Sequence, residues 1–573
     1  MRLSGKWAWG GLAAALGMGC ACVPWTLDPE ALSVRLDESA PIGVFHWDKP
    51  ARATLRLLPT PVLDVYGLRL VDGEGKVAFE ASAAAFGLSA LNLAIGRYVL
   101  IRARLKDPTA EVDLDALAAA LPALLKSPPV QMLQARGGRL RLVSRRLGLS
   151  EDLSPVDGGF VWLGENRPLR VTFGGVWRGQ WADVDASLGL PADFLAGLPS
   201  EASLKVSAAG ASANLQGSAQ LGDKPSFAGE VTASARSLSG AAGWLGLDGS
   251  QLADDAAEVS GRVSASPEML SLDEGTLGYE QQNFEGIASL LKGAAGWSAT
   301  ATLAIEQLDL SKLIGPPTNI STPHGQWSRA PVRVNAPPLD VDVRLSAANL
   351  VWGETNFNDA ALALRRQADK TTLKIIEAGY DGGALNGEIE ISNCAVLCQT
   401  RATLTLANAD FRALTRLTGR NSLSGRASFE LDVAASGDTP ASVVDTAAGK
   451  LRIDAVDGEI RGVNFEEALR RSQRRSLDLA RDLAVCKTAF RDFSANLTIA
   501  DGEAVVDSAR LVAPGICVVG GGRIEIAKRA WAATIEARQA DSQGEPSAEG
   551  ASLAFGFSGP WRSPKLTLTP HND

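Results

Sequence analysis

Four cysteines lie beyond residue 30, namely Cys394, Cys398, Cys486 and Cys517, and an even number of thiols in an exported chain points to disulfides. Three connectivities are open to four cysteines. The spacing favours Cys394 with Cys398 across a tight loop and Cys486 with Cys517 across neighbouring strands. Zinc is the alternative use of such thiols, but the chain has only three histidines (His46, His324 and His571), none close to the cysteines in sequence. The same scarcity makes a Ser-His-Asp triad or a metal-His site hard to build. No Gly-x-Ser-x-Gly elbow occurs. Gly515 to Gly522 carries glycines after a strand, but no Lys-Ser/Thr follows, so it is not a phosphate loop. Asp and Glu fall at alternating outward positions and read as a solvated face. The expectation is a protein without catalysis, metal or cofactor. One charged cluster stands out: Arg470, Arg471, Arg474 and Arg475, on a helix that begins after Asn464. A solvated helix face accounts for it; the sharper reading is contact with anionic lipid head groups.

The elements that would carry these residues are mostly strands. From Gly425 onward, Ala427, Phe429, Leu431 and Val433 alternate with Arg426, Ser428, Glu430 and Asp432. A period of two sends one set to each face. Leu451, Ile453 and Ala455 alternate with Lys450, Arg452 and Asp454, and Asp457-Gly458 is the dipeptide of a two-residue hairpin turn. The period then changes: Asn464 can cap a helix whose apolar positions are Phe465, Leu469 and Leu477. Two further strand pairs follow, the first turning at Asp501-Gly502 and carrying Leu497 and Ile499, the second carrying Ile524. Similar alternation fills Arg52 to Leu308, with Asp72-Gly73, Asp157-Gly158 and Asp248-Gly249 as turn signals. Strands recur every ten to fifteen residues without a βαβ rhythm, the spacing of all-β architectures. Val341 and Val343 sit in another alternating run, and Asp381-Gly382 marks another hairpin.

A small unit repeats irregularly: a strand ends in Asp or Asn, followed by Leu or Phe. It occurs at Asp113-Leu114, Asp309-Leu310, Asp410-Phe411 and Asn464-Phe465, and each reads as a strand, a cap and a half-helix. Residues 315–338 are proline-rich and read as a connection between two halves.

Composition bounds the function. The chain has 573 residues, 46% hydrophobic and 21% charged, enough to bury a large core. A formal charge of -9 argues against a nucleic-acid partner, which requires a basic face. Arg2 and Lys6 precede an uncharged run from Trp7 to Leu27, long enough to span a bilayer with its N-terminus inside. A cleaved signal peptide is the alternative. Either one exports everything after Asp28.

The order of these features resembles the AsmA family. At the C-terminal end the resemblance rests on the Gly-bracketed strand, the turn and helix from Asp457 to Phe465, the segment from Thr488 to Ala495, and the strand closing on Gly520-Gly521-Gly522. At the N-terminal end it rests on a membrane helix, an amphipathic helix, and a strand flanked by Pro59 and Pro61. Trp327-Ser328-Arg329-Ala330-Pro331 is similar to the family's segment before its C-terminal half. The resemblance implies a membrane anchor over residues 1–27, an N-terminal β region over 28–130, a middle β-ribbon over 131–314, the Pro-rich connection over 315–338 and a C-terminal region over 339–573.

It also implies the fold: a mainly β protein whose N-terminal transmembrane helix leads into a long, twisted, mostly antiparallel sheet curled into an open groove, with a few short helices. Roughly 25 strands at ~4.8 Å each would extend about 120 Å. An inner-membrane-anchored periplasmic protein that binds or conducts phospholipid between membranes, supporting outer-membrane biogenesis, is the function implied. Val341, Val343, Phe429, Leu431, Val433, Leu451, Ile453, Leu497, Ile499 and Ile524 would line the path. Outer-membrane assembly components are candidate partners. The alternative is a factor without lipid that influences outer-membrane protein insertion through its edge strands.

Overall fold

The computed structural model describes residues 22–39, 45–72, 75, 77–117, 130–145, 148–164, 166–208, 210–221, 225–246, 254–293, 296–315, 326–330, 339–392, 397–412, 423–472, 487–541, 543–547, 551–561 and 565–569. The chain divides into two compact units, Met1–Tyr279 and Glu280–Asp573.

In the first unit, alternating apolar and polar residues build β1 (Trp25–Leu27), β2 (His46–Trp47), β3 (Arg52–Arg56), β4 (Val62–Val71), β5 (Val77–Leu88), β6 (Leu100–Asp113), β7 (Met132–Ser144) and β8 (Leu149–Trp162). They continue through β9 (Leu169–Trp177), β10 (Gln180–Leu188), β11 (Ser200–Ala208), β12 (Ala211–Gln220), β13 (Ser226–Ala235), β14 (Ala257–Ala265) and β15 (Met269–Tyr279). From β3 on, each strand pairs with the next, and every such pair is antiparallel except β6–β7. Register carries one apolar row straight across the sheet: Leu63, Phe86, Ala103, Leu133, Phe160, Val171, Ala186, Leu204, Leu215, Val231 and Gly261 stand side by side.

The start of this row is sealed. Leu32 and Leu36 of α1 (Pro29–Ser39) pack with Trp47, Leu63, Val65 and Phe86 in one buried cluster. The Trp47 ring meets Phe86 edge-on at 5.7 Å. Further along the sheet, Glu151 ties the β9–β10 turn to α4 (Leu238–Leu245), which comes after α2 (Ala90–Ala94) and α3 (Pro191–Leu195). Its carboxylate accepts from Trp177 Nε1 at 2.9 Å and from the Arg178 guanidinium, whose Nη1 donates to the Trp244 carbonyl at 3.1 Å.

The second unit repeats the scheme. It comprises β16 (Gln282–Gly293), β17 (Gly296–Asp309), β18 (Asp340–Trp352), β19 (Thr355–Gln367), β20 (Lys370–Tyr380), β21 (Gly383–Ser392), β22 (Gln399–Asp410) and β23 (Leu423–Ser436). Then come β24 (Ala448–Arg461), β25 (Lys487–Ala500), β26 (Glu503–Ala513), β27 (Ile516–Glu525), β28 (Ala530–Gln539), β29 (Ser552–Pro560) and β30 (Lys565–Thr569). All sequential neighbours here pair antiparallel except β17–β18. Among the described residues, short helices punctuate the strands at α5 (Leu310–Ile314), α6 (Pro440–Asp445) and α7 (Phe465–Ser472). Each unit is therefore a long, open, mostly antiparallel sheet.

The Asp/Asn units behave as expected. Asp113, Asp309, Asp410 and Asn464 accept from the backbone N–H of Asp115, Ser311, Arg412 and Glu467, each at 2.9 Å. Leu477 lies outside the described residues. Asp381-Gly382 and Asp501-Gly502 form the predicted hairpin turns, with positive φ at both positions.

Four expectations change. Asp457-Gly458 does not turn the chain. It lies inside β24, where Asp457 at φ 50° makes a bulge and a Cβ on Gly458 would strike Ser424 O at 2.3 Å and the Phe490 ring. Asp157-Gly158 likewise sits inside β8. The division between units falls at Tyr279, not in the Pro-rich connection, because parallel pairing of β17 with β18 holds both sides of that connection in one unit. Trp25–Leu27, assigned above to the membrane span, is the edge strand β1 against β3; residues 1–21 lie outside the description. No helix among the described residues is long and apolar enough to cross a membrane.

Two stability tests follow from this packing. Phe465 is buried and meets Phe555 edge-on at 5.5 Å. Phe465→Ala is expected to lower stability by roughly 3–5 kcal/mol, read from the urea midpoint. The Arg178 hydrogen bond, aided by Trp177, holds Glu151 below the ordinary carboxylate value of 4.5. A lowered folded-state pKa stabilises above the ordinary value, and the stabilisation is lost as pH falls through the lowered one. Glu151→Gln should therefore be less stable than wild type at neutral pH, with the gap closing in acid; a gap independent of pH would contradict this assignment.

Candidate functional site

The residues singled out as path-lining all fall on one face of the second unit. Leu431, Leu451 and Leu497 stand in a single row, and so do Val433, Ile499 and Ile524 in the row beside it. Phe429 and Ile453 make the row on the other side, and Val343 and Val341 extend the face into β18. The central row is longer than the sequence suggested: Leu303, Leu345, Leu362, Ile375, Gly387, Leu404, Leu431, Leu451, Leu497 and Val506 pair strand by strand. The opposite face carries Arg344, Ala363, Lys374, Glu388, Thr403, Asp432 and Lys450 in the adjacent row.

Burial along this face is uneven. Ile453, Leu497 and Ile499 are buried, within a cluster that includes Phe490, Leu511 and Phe555. Helix α7 closes this end, laying Phe465, Ala468 and Leu469 into the same cluster. Its position is set by Thr488, whose hydroxyl donates to the Val463 carbonyl at 2.7 Å and accepts from Phe465 N–H at 3.1 Å. Toward β16 the seal narrows to one end of the strands, where Ile305, Ala347 and Ala360 are buried in the row beside the central one. Leu345, Leu362, Ile375 and Leu404 are only half-buried, and Leu364 is 38% exposed. In the first unit Leu63 is 0% exposed, whereas Leu204 and Leu277 on β11 and β15 are both 38% exposed. Each unit thus has one sealed stretch and one apolar stretch open to solvent.

The remaining candidates separate. Arg470 is exposed and paired with Glu467 on its own helix. Arg471 lies in α7, and Arg474 and Arg475 lie outside the described residues. Cys398 is disulfide-bonded, with a partner outside those residues. Cys517 is a free, buried thiol, so the expected bond to Cys486 is not formed; Cys486 itself is outside the description. Cys517 sits opposite Val512 and Arg538 in the β-ladder, where strand pairing already satisfies the backbone without a covalent tie. The glycines of residues 520–522 lie within β27 and face Ile535, Thr534 and Ala533. Trp327 docks far from its neighbours in sequence: its Nε1 donates to the Ile526 carbonyl at 2.9 Å and Arg529 stacks over its ring at 4.2 Å. The alternation signal found the apolar face; it could not show which part of that face is sealed.

Residues 316–508 match the model of the AsmA family. This stretch runs from the Pro-rich connection to β26. No curated protein and no solved structure matches the chain.

The contrast between open and sealed stretches predicts opposite responses to the same substitution. Ile453→Glu buries an unpaired carboxylate and should unfold the second unit or cost several kcal/mol. Leu362→Glu leaves its carboxylate access to water and should shift the urea midpoint by no more than about 1 kcal/mol. Equal destabilisation by both would mean the face is closed along its whole length.

Proposed function

We propose that this chain, whose residues 316–508 match the AsmA family, shields or conducts the acyl chains of phospholipid along its open apolar face. A single observation carries the reading. A side-by-side apolar row remains half-exposed over many consecutive strands, and water in contact with such a row costs about 25 cal/mol for each Å². Acyl chains match that surface: they need no hydrogen-bond partners and no particular register.

Length is adequate. From β16 to β23 there are seven strand spacings in the second unit, about 34 Å at ~4.8 Å each. One leaflet's acyl layer is about 15 Å, half of the ~30 Å hydrocarbon core. On this reading the face, whose side chains are half rather than fully exposed, serves as a groove. Bonding of Cys398 in a disulfide supports an oxidising compartment, such as a periplasm. With Trp25–Leu27 in a strand, the uncharged run shortens to residues 7–24, whose 18 residues give about 27 Å as a helix, at the short end for a membrane anchor. On this reading the chain is anchored in the inner membrane with its bulk in the periplasm, acts without chemical catalysis, and serves outer-membrane biogenesis.

The test is to purify the full chain, remove detergent and extract bound lipid for mass spectrometry. Wild type should carry phospholipid and take up a fluorescent analogue. A Leu345→Asp/Leu362→Asp/Leu404→Asp variant with an unchanged circular-dichroism spectrum should carry and take up none. Absence of lipid from wild type, with no uptake, would overturn the proposal and favour a lipid-free assembly role.

A further inference from the structure

The open face of the second unit is not wholly apolar. Two cations break it, both near the same edge of the sheet. Arg366 on β19 is opposite Val341 on one side and Thr371 on the other, in the row next to Val343, Leu364 and Leu373. Lys292 on β16 is opposite Trp297, one pleat beyond the Leu290–Ala299 pair that belongs to the same row as Val341. Its ammonium lies 5.9 Å from the centroid of the Trp297 ring, which is 43% exposed.

Neither cation is neutralised by a carboxylate. Among the described residues, the positions of β16 to β23 that share this face include no Asp or Glu, and neither cation forms an ion pair. Of the nearby carboxylates, Asp369 lies in the β19–β20 turn and makes no ion pair, and Asp340 and Glu390 belong to the other face: Asp340 accepts from Ala368 N–H at 3.4 Å, and Glu390 pairs with Lys370 at 2.5 Å. Arg366 is the more telling of the two. Its Nη1 is shielded from solvent and has no hydrogen-bond partner. A shielded N–H without an acceptor is costly, the more so on a charged group. The guanidinium's fork of donors is suited to a planar or tetrahedral oxyanion.

We infer that Arg366, with the Thr371 hydroxyl beside it and Lys292 as a second cation, binds the phosphate of an anionic phospholipid whose acyl chains lie on the adjoining apolar rows. This deepens the lipid reading above and rests on it. Arg366 and Lys292 are three strand spacings and one two-residue step along the strand apart, about 16 Å in all, a gap that two long flexible side chains narrow from both sides. Arg supplies directional, two-pronged hydrogen bonding, whereas Lys supplies a point charge that tolerates movement. The site therefore selects for charge at the headgroup while leaving chain length unread. It also orients the lipid, with its headgroup at the edge where β19 ends and its chains along the strand-to-strand rows.

Free phosphate presents the same oxyanion, so the experiment separates the two sources. Full-length chain freed of detergent is titrated with dioleoyl-phosphatidylglycerol, with dioleoylglycerol, which has the same chains and no phosphate, and with inorganic phosphate. Wild type should prefer phosphatidylglycerol and show no measurable binding of inorganic phosphate. The Lys292→Gln/Arg366→Gln variant should lose about tenfold in affinity for phosphatidylglycerol and none for dioleoylglycerol. Arg366→Lys, which keeps the charge but not the fork, should restore part of the loss, and an unchanged thermal midpoint shows that folding is not the cause. If both lipids bind and the double variant binds phosphatidylglycerol as wild type does, the headgroup site is wrong and the apolar reading stands. If neither lipid binds wild type, both are wrong. If inorganic phosphate binds and that binding is lost in the double variant, without preference for phosphatidylglycerol, the site belongs to a free anion and the inference is overturned.

Discussion

Strand register is the constraint on which the rest depends. In an antiparallel ladder, a residue and its cross-strand partner point to the same face, so a one-residue slip would turn a whole strand inside out. Once Leu63 and Phe86 are paired, the sequence need only alternate for the apolar row to continue, and it does so to Val231. The parallel pairs β6–β7 and β17–β18 could have broken this rule, since each follows a long connection. They do not: Ala103 meets Leu133, and Leu303 meets Leu345. Bulges are matched in the same way. Asp457 on β24 lies beside the irregularity at Gly425 on β23, and Asn408 on β22 lies near it, so neighbouring strands shift together and their faces stay in phase. Such bulges also sharpen the local twist.

Closure is a separate matter and needs helices. In each unit the sealed stretch is where a helix contributes apolar side chains to the sheet: Leu32 and Leu36 in the first, Phe465, Ala468 and Leu469 in the second. Where only a half-helix follows a strand, as at α5, its cap settles the strand end but covers little. The open stretches are held by what every interior strand has, a hydrogen-bonded neighbour on both sides, together with partial burial of Leu and Ile. That resembles the nearest-neighbour stability of repeat proteins, in which no central core is required.

This division explains how much could be read from residues alone. Strand existence, face assignment and the four Asp/Asn caps are legible because they depend on local spacing. Asp-Gly was ambiguous: the pair at 501–502 has no partner strand to continue along and turns, while that at 457–458 lies where Phe490 and Ser424 pack against a glycine and the strand runs on. Parity of count predicts a bonded Cys517, yet count carries no geometry. Its burial on β27 is a packing result. The open and sealed parts of the face have the same alternation, so Leu362 and Leu497 look alike in sequence and differ only in what lies above them. Arg365-Arg366 reads in sequence as the charged end of a strand; only the pairing with Val341 shows that the second of them shares the apolar face.

A face built this way has a consequence for anything that slides on it. Apart from Gly387, each step of one strand along the central row from Leu303 to Leu497 exchanges one Leu or Ile for another, so an acyl chain shifted by ~4.8 Å would meet a similar surface at most steps. Binding energy that is uniform along a path holds cargo on the path without fixing it at any one point. The two cations are the exception to that uniformity. They sit at an edge and not in the central row, so in the proposed site they would bias where a charged headgroup rests while leaving the track for its chains unbroken. Moving either charge inward, to the row of Leu362, would place an ion among half-buried leucines and interrupt the track at its middle, which the observed arrangement avoids.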